Sequence, residues 1–319
     1  MKYSAFIFFY YHVVTAIGAP IIGVLTQETF SVEKCFPKQR YVGYIAASYV
    51  KFLESAGARI VPIWIGQEKK YYERVLQYTN GMLFPGGATY FNETNGYAEA
   101  AKVIYEMAQN LNDNGKYYPI LGICLGMQVL AFASAKGKDI RVHCHCQKRT
   151  LPLIFDKDYR CSKLFRHAPD EILNILRSQN VTYNYHNYCL TDNTIHRNNL
   201  QDEWKLVTRN KDDEDIEFIS TMEHKKYPFY GLQFHPEKSR FEFKETLDIK
   251  HNFNSTLVSQ YFANFFIEKC KKNNNRFPNE NLELNALIYN FSPAFTANNC
   301  SYFQMYMFTE EDFLNYQLK

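Results

Sequence analysis

Residues 117–132 read YYPILGICLGMQVLAF. An apolar run leads into Cys124, with Gly122 and Gly126 two positions away on either side, and a second apolar run follows. The first run reads as a buried strand and "MQVLAFASA" as a helix. A cysteine at that junction sits where a sharp strand–turn–helix holds a nucleophile above a sheet. The tight backbone there demands small neighbours, which the two glycines supply. The helix N-terminus aims unpaired N–H groups at the sulfur and favours thiolate. The backbone N–H of Leu125 is placed to receive an oxyanion. A buried structural cysteine is the plain alternative, since free cysteines are among the most buried residues. The surroundings have to decide between the two.

Outward from this turn, strand and helix patterns alternate. "PIIGVLTQ" (20–27), "RIVPIWI" (59–65) and "GMLFPGG" (81–87) read as buried strands. "YIAASYVKFLESAGA" (44–58), stopped by Gly57, and "GYAEAAKVIYEMAQNL" (96–111) carry helical spacing. From 20 to about 135 this predicts an α/β fold, a flavodoxin-like parallel sheet flanked by helices on both faces. Between 140 and 235 come short strand-like runs such as "IRVHCHC", "TYNYHNYCL", "WKLVTR", "IEFIST" and "FYGLQFH", with "APDEILNIL" helical. They predict mixed or antiparallel strands added to the parallel core. A long helix is expected near 255–272, and a tail from about 276 to 319, without clear period, is expected to wrap the core. A single domain over 20–319 is the economical organisation.

A cysteine nucleophile needs a base. His235 in "YGLQFHPEK" stands at the end of a predicted strand, and Glu237 leaves the extended chain on the same face. The carboxylate can then hold the imidazole in one tautomer. His186 in "TYNYHNYCL" is a second histidine placed to line the cleft. After the third strand, Gly86 and Gly87 permit close backbone approach at the carboxyl end of a parallel strand, where ligands of such sheets bind. Either could supply a second oxyanion donor beside Leu125.

Other features define what the chain does not do. Among 319 residues, 46% are apolar and 22% charged, with net charge +3. There is no dense basic stripe for nucleic acid; "KCKKNNNR" (269–276) reads as cations at a helix C-terminus. In "VHCHCQ" (142–147) the two histidines and two cysteines alternate faces, so they do not converge on one metal. No metal or organic cofactor is expected. No later segment is long and apolar enough to span a bilayer. Residues 1–18 fit a secretory signal peptide. Sequons at Asn92, Asn180, Asn254, Asn290 and Asn299 fit export and glycosylation. Eight cysteines in such a protein invite disulfides.

With Cys124, His235, Glu237 and the Pro-Gly-Gly turn in place, the chain resembles the class I glutamine amidotransferase superfamily. Within it the chain is similar to the γ-glutamyl hydrolase family, from "PIIGVLTQ" to "ALIYNFSPAFT" (286–296). "FISTMEHKKYPFYGLQFHPEK" (218–238) is the most specific block, and "NYHNYCL" also fits. The resemblance implies Cys124 as nucleophile, His235 as proton donor to the leaving amine and Glu237 as its orienting group. It also implies a folate polyglutamate substrate, secretion or lysosomal residence, and a homodimer. Gln128, four residues past the nucleophile, departs from the glutamate of close γ-glutamyl hydrolases and matches glutamine amidotransferases; it is expected in the glutamyl pocket. Two other readings compete: a glutaminase feeding ammonia to a synthetase, and a silent binding protein on the same fold. The intact Cys/His/Glu set speaks against the second.

Overall fold

Four apolar runs, Ile21–Leu25, Gly81–Phe84, Ile120–Ile123 and Phe229–Leu232, are buried along their whole length. Continuous burial is what a parallel strand covered on both faces requires. In the computed structural model, which describes residues 18–36 and 40–316, they join Arg59–Ile63 in one sheet. Spatially the parallel part runs Arg59–Ile63, Ile21–Leu25, Gly81–Phe84, Ile120–Ile123, Phe229–Leu232. In chain order that is 2-1-3-4-5, the flavodoxin-like arrangement, as expected. Glu217–His224, Trp204–Lys211 and Ile154–Phe155 extend the sheet antiparallel, bringing it to eight strands. The leader expected over 1–18 lies, except for Gly18, outside the described residues.

Two sets of helices pack within themselves. Lys69–Tyr78, Tyr97–Asp113 and Leu125–Ser134 form one; Ala47–Glu54, Lys238–Phe241, Phe253–Cys270 and Asp170–Ser178 form the other. Leu125–Ser134 is buried at every position and carries apolar residues on most of its circumference, with Gln128 and Ser134 as its buried polar members.

Three details differ from the sequence reading. The expected helix 44–58 begins only at Ala47, because Gly43–Ala46 is a strand paired with Gln304–Phe308. Its partner lies more than 250 residues away, beyond any local period. Helix Lys69–Tyr78 was not anticipated; Tyr71, Tyr72, Val75 and Leu76 form its buried side. The strand-like runs near 142 and 182 do not enter the main sheet. Val142–Leu151 and Thr182–Cys189 form a separate antiparallel ribbon. Within it Cys144 and Cys146 are buried while His143 and His145 are exposed, the alternation expected of a strand.

The C-terminal segment contributes to the core. Ile288, Met305 and Phe308 are fully buried, and Phe308 meets the Trp64 ring edge-on at 4.6 Å. Burying each such side chain contributes about 1.5–3 kcal/mol. Cys35 and Cys300 form a disulfide that ties this segment to the loop after the first strand, and Cys144 and Cys189 form another across the ribbon.

Candidate active site

Strand Ile120–Ile123 delivers Cys124 to the carboxyl edge of the sheet, and helix Leu125–Ser134 leaves immediately after it. Cys124 has φ 53° and ψ −107°, a strained conformation for a residue with a side chain. The Cys124 N–H donates to the Leu232 carbonyl at 2.7 Å, fixing the turn to the neighbouring strand. Both glycines are required sterically. A Cβ on Gly122 would lie 2.4 Å from the Gly126 oxygen, and one on Gly126 would lie 1.9 Å from the Phe84 oxygen. This close approach lets the helix N-terminus stand beside the "FPGG" turn.

His235 lies across the site, 4% exposed. Its strand ends at Leu232, and Glu237 is helical at φ −66°, ψ −28°. The two side chains therefore meet through a turn at Pro236, where extended chain was expected. His235 Nδ1 and Glu237 Oε1 are 2.8 Å apart, and Glu237 is fully buried. That contact directs the Nδ1 proton to the carboxylate and leaves Nε2 to face Cys124. Burial works against a charged ring, but the charges of Cys124 and Glu237, with hydrogen bonds to both, outweigh it. The pKa of His235 is raised to about 9. The imidazole is therefore held in its charged form at neutral pH.

Gly86 is where these groups converge. A Cβ there would meet Tyr49 Oη at 2.5 Å, His235 Cε1 at 2.8 Å and Cys124 Cβ at 3.1 Å. The Gly86 N–H donates to Tyr49 Oη at 2.9 Å, and that oxygen lies 3.2 Å from His235 Nδ1. Of the two turn amides expected to face an oxyanion, that of Gly86 is thus engaged. Gly87, whose N–H has no acceptor among the described residues, lines the cleft with Leu125. Gln27 Nε2 holds the turn from behind, donating to the carbonyls of Pro85 at 3.1 Å and Gly86 at 3.2 Å. The Tyr97 hydroxyl donates to Pro85 O at 2.7 Å.

Cys124, His235 and Leu125 open into a cleft of about 450 Å³. His186 and Gln128 line it, as expected from the sequence. Burial and the His235 charge lower the His186 pKa to about 3, so that ring is neutral. Gln128 Nε2 donates to the Tyr188 carbonyl at 2.8 Å and to Gln233 Oε1 at 3.2 Å. Gln233 Nε2 in turn points at the Cys124 sulfur, 3.6 Å away. Two cations of the wall escaped the sequence reading. Lys238 is 2% exposed, lies over the Tyr302 ring at 4.7 Å, and interacts electrostatically with the buried Glu242 carboxylate without forming a direct ion pair among the described residues. Arg141 stacks on Phe91 and pairs with Asp139. Lys238 directly follows Glu237, so its position was visible in the sequence, although its burial was not.

The peptidase C26 family profile matches residues 20–237. The chain is 40% identical to "Gamma-glutamyl hydrolase" of Rattus norvegicus over 292 residues, covering 91% of this chain and 89% of that one. It is 40% identical to the Homo sapiens protein of the same name over 295 residues, covering 91% and 89%. It is 33% identical to "Gamma-glutamyl hydrolase B" of Dictyostelium discoideum over 299 residues, covering 92% and 84%. With the family profile spanning residues 20–237 and relatives about 40% identical along nearly the whole chain, the protein belongs to the peptidase C26 family and, within it, to the γ-glutamyl hydrolases.

Proposed function

We propose that this protein is a thiol hydrolase that cleaves the γ-glutamyl bonds of folate poly-γ-glutamates through an acyl-enzyme on Cys124. The observation that carries the substrate class is Lys238, a buried cation lining the cleft beside Cys124 and His235, whose nearest charge compensation, the buried Glu242 carboxylate, makes no direct ion pair with it among the described residues. A buried charge is costly unless paired. The free α-carboxylate of a γ-linked glutamate supplies that partner beside the scissile carbonyl and fixes the attack geometry.

In this reading the Cys124 thiolate attacks the γ-carbonyl carbon. The N–H groups of Leu125 and Gly87 receive the oxyanion. As the C–N bond breaks, His235 gives its proton to the leaving amine, releasing glutamate or a shorter poly-γ-glutamate. The neutral ring then takes a proton from water, whose attack on the thioester frees the acid and restores the thiolate. Glu237 holds the ring in place through both half-reactions. Incubation with a folate pentaglutamate, with products separated by chain length, tests the proposal. Shortened folates and γ-linked selectivity support it. Equal rates on α-linked peptides, or free glutamine as the preferred substrate, refute it and favour a glutaminase.

Export to the cell exterior or the lysosome belongs to the same reading, supported by the leader-like 1–18 stretch, the sequons and two disulfides. Asn92, Asn180, Asn290 and Asn299 are exposed and Asn254 is half-buried, but the Asn290 amide donates to two backbone carbonyls and that of Asn254 to Gln179. Carbohydrate is therefore expected first at Asn92, Asn180 and Asn299, which are exposed without such a bond. A mature protein retaining Met1, with mass unchanged by glycosidase, rules export out. The family resemblance also supports a homodimer, which sedimentation decides.

A further inference from the structure

A second concavity, of about 480 Å³, lies at the opposite end of the same strands. Tyr117 and Pro228 in its wall precede strands Ile120–Ile123 and Phe229–Leu232, whereas Cys124 and Gln233 follow them. Four residues of strand separate the two ends by roughly 13 Å. The concavity is therefore distinct from the catalytic cleft.

Lys163, Arg166, Lys226, Lys269 and Lys272 converge on it. Lys226 pairs with Asp113; the other four have no carboxylate within ion-pair distance among the described residues. The one buried carboxylate behind them, Glu223, accepts from the N–H groups of Lys163 and Leu164 at 2.8 and 2.9 Å. Lys163 Nζ is already committed to the carbonyls of His224, Lys225 and Tyr227. Arg166, Lys269 and Lys272 keep free donors. A helix C-terminus accounts for the charge of Lys269 and Lys272, which stand in and just after the last turn of Phe253–Cys270. It does not explain Lys163 and Arg166, which arrive from a different segment. The cations also oppose each other: the Lys269 pKa is lowered by burial and then by Lys272 and Arg166.

We propose that this concavity binds a small organic molecule bearing a tetrahedral oxyanion of the phosphate–sulfate class, held by Arg166, Lys269 and Lys272. The guanidinium fork matches a tetrahedral oxyanion with two parallel hydrogen bonds. The volume falls within the range of small-molecule sites and exceeds the needs of a bare ion. Tyr117 and Tyr227 give the organic part an aromatic wall.

Titration calorimetry on the full chain, with phenyl phosphate, phenyl sulfate, pyrophosphate and chloride at constant ionic strength, tests this. One saturable site per chain is expected, with chloride silent. The double variant Arg166→Gln/Lys272→Gln should weaken it at least about tenfold, as two charge-assisted contacts are lost. Its γ-glutamyl turnover should equal that of the unsubstituted protein. Its melting temperature without anion should be equal or higher, because repulsion is relieved; a merely structural role for these residues would lower it. A preference between the two phenyl esters identifies the oxyanion, and equal binding supports the shared chemistry. No saturable heat with any oxyanion, or unchanged affinity in the double variant, overturns the proposal.

Discussion

Glu237→Gln isolates the charge that supports His235. The amide oxygen can keep the 2.8 Å contact to Nδ1, and the amide nitrogen replaces Oε2, which has no hydrogen-bond partner. Packing is thus preserved while the charge is removed. Raising His235 from 6.5 to about 9 corresponds to roughly 3 kcal/mol in favour of the charged ring. That sum is net of burial, which opposes it, and the Cys124 charge contributes ahead of Glu237. Losing Glu237 should therefore remove part of it, about one to two pH units. In the proposed mechanism the imidazolium is the proton donor, so activity should fall on the alkaline side near pH 9, and in the variant this limb should move toward neutrality. Turnover below the limb should fall about 10–100-fold, the lower part of what general acid–base catalysis supplies. The sign for stability is the same. A histidine whose folded pKa is raised contributes fully below 6.5 and loses that contribution as pH rises through about 9. The variant should therefore lose less stability than the parent between pH 6 and pH 9. The assay is kcat/KM on a γ-glutamyl amide from pH 5 to 10, alongside iodoacetamide alkylation and melting temperatures. An alkaline limb unmoved in Glu237→Gln, with unchanged turnover, would refute the assignment of Glu237 as the charge behind His235.

Cys124→Ala should abolish turnover while retaining substrate binding, measured calorimetrically, and His235→Asn should lose about 10²–10⁴-fold in kcat. Lys238→Met should raise KM about 10–100-fold for γ-glutamyl peptides with a free α-carboxylate, and leave α-amidated analogues little affected; equal losses on both would remove Lys238 from substrate binding. Gly126→Ala sets a Cβ 1.9 Å from the Phe84 carbonyl oxygen. It should destabilise by about 3 kcal/mol or more in urea titration, at the upper end for overpacking because backbone meets backbone.

The parallel half of the sheet and the tight strand–helix turn at Cys124 were legible because their signals are local. Ile120–Ile123 is apolar at every position, and Gly122 and Gly126 mark the close backbone contacts that any strand–turn–helix elbow needs. The pairing of His235 with Glu237 was legible for a reason only half right. A separation of two residues puts side chains on one face of extended chain, yet here the turn at Pro236 brings them together. The ribbon and the strand Gly43–Ala46 were misplaced for a common cause. A strand's partner, and hence the sheet it joins, is a long-range property, and Gln304–Phe308 carries no mark that it belongs beside residue 44.

The groups that hold the site from behind were not legible, although two of them left a trace. Tyr49 stands in the apolar face of "YIAASYVKFLE", where a buried hydroxyl must find a partner. Gln27 closes the buried strand "PIIGVLTQ" at its carboxyl end, where polar side chains of parallel sheets meet ligands or the loops that bind them. Read together they predict polar contacts at the carboxyl edge, but not their target. The target is one small turn: Tyr49 takes the Gly86 N–H and Gln27 takes the carbonyls on either side of it. The Gly86 amide is thereby engaged, and Gly87, in the cleft wall with no acceptor for its N–H among the described residues, remains the candidate donor of the proposed mechanism. Which glycine of a Pro-Gly-Gly turn can serve the reaction is thus decided by residues about 37 and 58 positions upstream. A glycine signature alone marks where backbone can approach a substrate; the side chains packed behind it determine which N–H is free to do so.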